Sequence, residues 1–195
     1  AMSDSTVSRS LLARSMTFIL SHTEALRRHR AVYAGAHRVD GLVLPEDRVV
    51  TANRGGPAGR GSEFLFRRFG VAPRFFNRLR EYRPRVVHAH FGPSGPSALC
   101  IARQMGVPLV QTYHGRDATM TEEEARQSWR GRAFLRARKD LIQNTALFIA
   151  VSDFIRGKLL DQGFPEKKVV THRNGIDIRF FSPLDQAREP IVVFV

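Results

Sequence analysis

Six short runs rich in β-branched residues punctuate the chain: AVYAGAHRV (31–39), RVVHAH (85–90), PLVQTYH (108–114), ALFIAVS (146–152), VVTHRNGI (169–176) and IVVFV (191–195). Runs of this length and composition predict strands. Between them the apolar spacing turns helical. Residues 16–29 place Phe18, Ile19, His22, Leu26 and His29 near one face, and 97–106 ends in Gly106, as helix C-termini often do. Residues 121–144 open on Thr121 and three acids, a favourable helix start, and 152–163 begins with Ser152 as N-cap and ends with Gly163 as C-cap. Strands alternating with helices at this spacing indicate βαβ units, hence an α/β fold with a mostly parallel sheet. Right-handed crossovers then place helices on both of its faces. The Gly-rich stretch TANRGGPAGRGSE (51–63) predicts a mobile loop.

The two ends fit this pattern less well. A first strand is expected before the helix at 16, but only residues 3–10 are available, short and polar for a central parallel strand. IVVFV is a buried-type strand at the last residue, and FFSPLDQAREP (180–190) before it reads as an interdomain linker. The expectation is a domain over 1–183, with 184–195 forming a linker and the first strand of a further domain. At 195 residues, one domain with a proper core is the natural reading.

In open parallel sheets, ligands bind where strands end and loops splay apart. Four polar motifs sit at such ends here: HAHFGPSG (88–95), TYHGRD (112–117), SDF (152–154) and RNGID (173–177). His88 and His90, two apart, project from one face of a strand. Three roles compete for them: metal ligands, core histidines, or part of a ligand site. No Cys, Asp or Glu lies nearby in sequence to complete a metal set. His88, deeper in the strand, suits a hydrogen-bonded structural role, and His90, at the exit, suits a site. Gly92 and Gly95 let backbone approach a ligand, and the helix that follows starts near Ser94–Ser97, where amides can hold an anion. His114 and Gly115, followed by Arg116 and Asp117, repeat the arrangement on the next strand. The chain contains no GxxxxGK[ST], GxGxxG, GxSxG or HExxH.

A net charge of +13 and a pI near 11.3 suggest a polyanionic neighbour or, more plainly, an Arg-rich genome. The excess concentrates in residues 1–100, with 16 basic against 7 acidic side chains. Within them, FLFRRFGVAPRFFNRLREYRPR (64–85) alternates aromatics with Arg. One reading is a helix pair packing Phe inward; another is a membrane-surface element in which Phe66, Phe69, Phe75 and Phe76 enter the headgroup boundary while Arg67, Arg68 and Arg74 meet anionic lipid. No nucleic-acid-binding motif accompanies the charge. No apolar run reaches the ~20 residues of a membrane span, and the N-terminus lacks a signal-peptide pattern. The single Cys100 fits a reducing cytoplasm.

VVHAHFGPSG, PLVQTYHGRD and ALFIAVSDFIRGKLLDQGFPEKKVVTHRNGIDIRFFSP, in that order, resemble the acceptor-side domain of family 4 glycosyltransferases. Upstream, RSMTFILSHTEAL is similar to the start of members that build exopolysaccharide repeat units, with Met16 where those usually carry Glu. The resemblance implies the N-terminal half of a GT-B fold: a Rossmann-like three-layer α/β/α domain whose cleft faces a second, donor-binding domain. It implies retention of configuration, no metal and no cofactor. It implies a nucleotide-sugar donor held mainly by the other domain, a saccharide or lipid-linked acceptor, and a location in the cytoplasm or at the inner membrane face. By the same resemblance His114 faces the donor sugar near the reacting centre. His90, Phe91, Gly92, Gly115, Asp117, Ser152, Arg156, Asn174 and Gly175 line the cleft. Residues 1–195 alone are then expected to be inactive. Two alternatives stay open: a non-catalytic sugar- or lipid-binding module, and a GT-B sugar-nucleotide epimerase.

Overall fold

The computed structural model describes residues 9–181 and 190. β1 (Arg9–Ser10) leads into α1 (Thr17–Glu24), β2 (Tyr33–Gly35), β3 (Val39–Asp40) and β4 (Val49–Thr51). Two helices, α2 (Gly56–Phe69) and α3 (Pro73–Glu81), precede β5 (Val87–His90). Then come α4 (Gly95–Met105), β6 (Leu109–Tyr113), the short α5 (Arg116–Thr119) and α6 (Glu122–Arg126), and α7 (Trp129–Asn144). The last described elements are β7 (Leu147–Ala150), α8 (Asp153–Asp161) and β8 (Val169–Thr171).

Strands β5, β6, β7 and β8 lie side by side in that order, all parallel. Because the order is sequential, right-handed crossovers put α4, α7 and α8 on the same face. That face is the main core. Leu109, Tyr113, Phe148, Ala150 and Val169 point into it and meet Leu99, Phe134, Leu141 and Leu159 from the helices. The strand period of two sends the alternate positions, His88, His90 and Thr112, to the other face. There α1 brings His22, whose ring lies 6.3 Å from that of His88. A parallel β2–β4 pair and an antiparallel β1–β3 pair complete the strand pairing among the described residues. The α/β class and the mostly parallel pairing agree with the sequence expectation.

Several elements differ from that expectation. The 51–63 stretch is not a loop throughout, because α2 begins at Gly56. Gly55 and Gly56 take φ of +102° and +65°, turn the chain, and hand over to Pro57 in the first helical turn. The glycines therefore mark a helix start. The helix expected over 121–144 is two. Thr121 forms a capping box with Glu124, and Ser128 caps again, its Oγ accepting from Gly131 N at 3.0 Å. A second N-cap inside a helical pattern restarts it at a new angle. The 31–39 run divides into β2 and β3, and β4 was not foreseen. β1 is two residues long and antiparallel, and residues 3–8 of the expected first strand lie outside the described residues, as do the strand at 191–195 and most of the linker. The C-terminus of α7 is closed from a distance: Lys168 Nζ donates to the carbonyls of Ile142, Gln143 and Thr145 at 2.8–3.2 Å.

The aromatic segment also divides. Phe66, Phe75 and Phe76 are 4%, 3% and 4% exposed and pack with Val50, Ala72, Leu79 and Ile101. They cannot enter a lipid surface, so that part of the membrane expectation is corrected. Helical phase is the reason: Phe66 shares a face with Gly59, the side α2 turns to the core, while Phe64 and Phe69 remain 62% and 61% exposed.

Two glycines make opposite predictions. A Cβ on Gly131 would collide with the Ala125 carbonyl at the α6–α7 junction, whereas one on Gly157, inside α8, meets nothing within 4 Å. Gly131→Ala should lower unfolding free energy by ~1–3 kcal/mol through overpacking, and Gly157→Ala should raise it by up to ~1 kcal/mol through helix propensity. Urea unfolding of the two variants reads the sign directly. Equal shifts in the same direction would contradict the packing described.

Candidate active site

The ends of β5 and β6 are built as one unit. Past His90 the chain turns sharply at Phe91, whose φ of +68° and ψ of +141° are sparsely populated by non-glycine residues. Two neighbours hold it there. Gln111, fully buried in β6, donates from Nε2 to the carbonyls of Phe91 (3.3 Å) and Gly92 (3.2 Å). Asp117 accepts from Gly92 N on Oδ2 at 3.0 Å, and from His114 N and Gly115 N on Oδ1 at 3.1 and 2.8 Å. One carboxylate thus ties both strand-end loops together. Gly92 is required for packing: a Cβ would sit 3.1 Å from the Tyr113 ring and 3.2 Å from Phe134. Gly115 differs, since a Cβ there meets nothing within 4 Å.

On the open face, five histidines form a continuous row. His172 and His22 have ring centroids 6.4 Å apart, His22 and His88 6.3 Å, His88 and His90 4.4 Å, and His90 and His114 5.2 Å. His88 Nε2 bonds Thr112 Oγ1 at 2.7 Å, and His90 Nδ1 lies 3.0 Å from His114 Nε2. Phe18 and Phe91 flank the His114 ring at 4.8 and 4.7 Å. Among the described residues, no group of three or more His, Cys, Asp or Glu is placed to hold a metal ion.

Crowding sets the charge state. Desolvation, then the neighbouring His22 and His114, push His88 down to about 4. His88 keeps substantial exposure to water, so solvent screens part of that effect. Desolvation, then His88, His114 and His22, push His90 down to about 3. Burial lowers His114 as well, opposed by the Asp117 carboxylate. At neutral pH these rings are hydrogen-bonding groups without charge.

The structure therefore brings His90, Phe91, Gly92, His114, Gly115 and Asp117 into one cluster. Asp117 spends both oxygens on backbone amides, so its place is in the frame of the site. Ser152 follows the adjacent strand β7 and caps α8, its Oγ accepting from Ile155 N at 3.2 Å. Arg156 is paired with Glu166 at 2.8 Å. Asn174 and Gly175 are exposed after β8. Sequence reasoning gave no site role to Phe18, His22, Gln111, Thr112 or His172. A polar Gln111 within the apolar run PLVQTYH was the available signal.

The lowered histidines predict a pH dependence. Above the unfolded value near 6.5 both folded and unfolded rings are neutral, so they contribute no slope. Below it the unfolded chain binds protons that the folded chain refuses, so stability falls with pH until the folded rings protonate near 4 and 3. The urea midpoint should drop between pH 6.5 and 4, and His90→Phe should flatten that drop. Identical slopes in the two proteins would refute the assignment.

Comparisons with known proteins identify the family. The sequence model of Glycosyltransferase Family 4 matches residues 16–180. WcaL of Escherichia coli (strain K12), provisionally named a colanic acid biosynthesis glycosyltransferase, is 30% identical over 105 residues. The match covers 52% of this chain and 24% of WcaL, so the chain spans about a quarter of that relative. Among solved structures, Anabaena Alr3699/HepE in complex with UDP and glucose superposes with a TM-score of 0.47 at 18% identity, over 70% of this chain and 33% of that one. With the family's match extending across α1, the row of strand-end histidines and the loop after β8, the chain belongs to glycosyltransferase family 4.

Proposed function

We propose that this chain is the acceptor-side domain of a retaining, metal-independent glycosyltransferase. It would transfer a sugar from a nucleotide sugar to a saccharide or lipid-linked acceptor in surface polysaccharide synthesis. The observation that carries the reading is the cluster at the carboxyl ends of β5 and β6, its two loops tied together by Asp117, in a member of this family. Its uncharged imidazoles suit sugar hydroxyls and phosphoryl oxygens, which need directed hydrogen bonds. The nucleotide sugar would be gripped mainly by a second domain, with transfer occurring across the cleft between the two. Similarity to WcaL supports a polysaccharide product. Positioning by both walls is what brings the reacting groups together, so one wall alone is expected to bind without turning over.

The test uses residues 1–195. Saccharide acceptors should shift the backbone amide signals of Gly92, His114 and Gly115, and a panel of nucleotide sugars should release no nucleoside diphosphate. Release by this chain alone would overturn the acceptor-side assignment; acceptor shifts confined to other surfaces would overturn the site.

A peripheral membrane location is part of the same proposal, on a corrected set of residues. Phe64, Leu65 and Phe69 on α2 are exposed, as is Trp129 at the start of α7. Arg67 lies 4.9 Å over the Trp129 ring, and Arg68 5.3 Å over Phe69. Among the described residues no helix is long and apolar enough to cross a membrane, so contact would be at the surface. Each Arg near an anionic surface contributes ~1 kcal/mol, screened beyond a Debye length of ~10 Å. Vesicles containing acidic lipid should bind the chain, added salt should release it, and Arg68→Glu with Phe69→Ser should weaken binding by an order of magnitude or more. Equal binding to neutral vesicles would count against the proposal.

A further inference from the structure

Away from the strand-end histidines, α6 and α7 meet over a cavity of about 400 Å³ lined by Glu122, Arg126, Arg132, Leu135, Arg136 and Arg138. That volume falls within the range of small-molecule sites. The local fold gathers these side chains. Ser128 caps α7 and sets its start against the end of α6, and helical spacings of three and four bring Arg132, Leu135 and Arg136 to one face.

Four guanidiniums here meet one carboxylate, a balance of +3. Glu122 is already engaged, 2.8 Å from Arg126 and 3.8 Å from Arg138 Nη1. Neutral acceptors hold two of the arginines. Arg132 Nη1 donates to the Arg126 carbonyl at 2.7 Å, and Arg138 Nη2 donates to the Gln162 carbonyl at 2.8 Å while its guanidinium lies 5.9 Å over the Phe164 ring. A carbonyl fixes a guanidinium in place without cancelling its charge. The Arg138 side chain is only 20% exposed, so that charge is also partly desolvated. Arg136 has no hydrogen-bond or ion-pair partner among the described residues. Arg132 and Arg136 stand one helical turn apart, a like-charge pair that destabilises a helix unless an anion lies between.

We propose that the cavity between α6 and α7 is a binding site for a phosphoryl ligand, with a diphosphate group the best match to its charge. Guanidiniums remain fully charged and present planar N–H forks that pair with phosphate oxygens two at a time. An excess of three positive charges is met by a multiply charged anion, whereas a monocarboxylate brings one negative charge. None of the strand-end histidines lines this cavity, and the inference does not rest on the glycosyl-transfer reading.

The test titrates inorganic pyrophosphate into residues 1–195 at about 0.15 M salt, where exposed charges are screened beyond ~8 Å. The arginine Nε–Hε NMR signals of Arg132, Arg136 and Arg138 should shift together and saturate at one ligand per chain, and acetate at the same concentration should leave them in place. Arg136→Gln should weaken pyrophosphate binding about tenfold or more, the worth of one charge-assisted hydrogen bond. Arg136 is exposed and unpartnered, so this variant keeps the fold. Arg130→Gln, on α7 but outside the cavity, should bind as the unaltered chain does. A short-chain, water-soluble phosphatidic acid titrated in parallel identifies the carrier: tighter binding than pyrophosphate assigns the site to a lipid head group, and weaker binding assigns it to a soluble diphosphate. Shifts that spread over the surface arginines without saturating, equal losses in the Arg130 and Arg136 variants, or an equal response to acetate would each overturn the proposal.

Discussion

The Asp117 carboxylate is the joint on which the crevice depends. Strands β5 and β6 are parallel neighbours, so their backbone pairing stops where the strands stop. Beyond Phe91 N, which still reaches Thr112 O, the loops would separate. Asp117 reaches back from α5 and gathers the amides of Gly92, His114 and Gly115. Bonds to a charged acceptor are worth ~1.5–3 kcal/mol each in favourable settings, roughly twice a neutral bond. That is enough to offset the ~1–3 kcal/mol of holding Phe91 in its sparsely populated conformation. The local strain and the local restraint are thus of the same size and adjacent.

Asp117 occupies the amides of Gly92, His114 and Gly115, so on the proposed reading ligand contacts at this end of the sheet fall mainly to side chains. Imidazoles are what the sheet supplies. Five in a row would repel one another if charged, and the low values at His88 and His90 express that repulsion together with desolvation. Within the row, His88 bonds the Thr112 hydroxyl and His90 bonds His114, nitrogen to nitrogen.

How much of this was legible in the sequence depends on the range of the interaction. The strands β5 to β8 were readable because each is a short apolar run closed by Gly or a polar turn. His90 and His114 were readable as candidate site residues because strand ends follow from those runs. Gln111, Phe18, His22 and His172 were not. Their partners lie 19 or more residues away, and only the folded sheet brings α1 over β5 and beside the end of β8. The meaning of Gly92 was likewise hidden. Its small size looked like an opening for a ligand, whereas it is filled by Tyr113 and Phe134.

The aromatic segment shows the same limit at shorter range. Composition over 64–80 counts five phenylalanines and five arginines but not where each points. The 100° step of a helix decides that. On α2 it turns Phe66 to the Gly59 side and Phe64 and Phe69 to water, and on α3 it turns both Phe75 and Phe76 inward. Three aromatics therefore hold α2 and α3 to the body of the protein, while two stay outside, Phe69 under Arg68 and Phe64 beside it at 6.3 Å. A segment that looked like one basic-aromatic patch is thus a core element with a narrow outward edge. Any surface function of α2 must work through that edge, with Trp129 joined to it through Arg67.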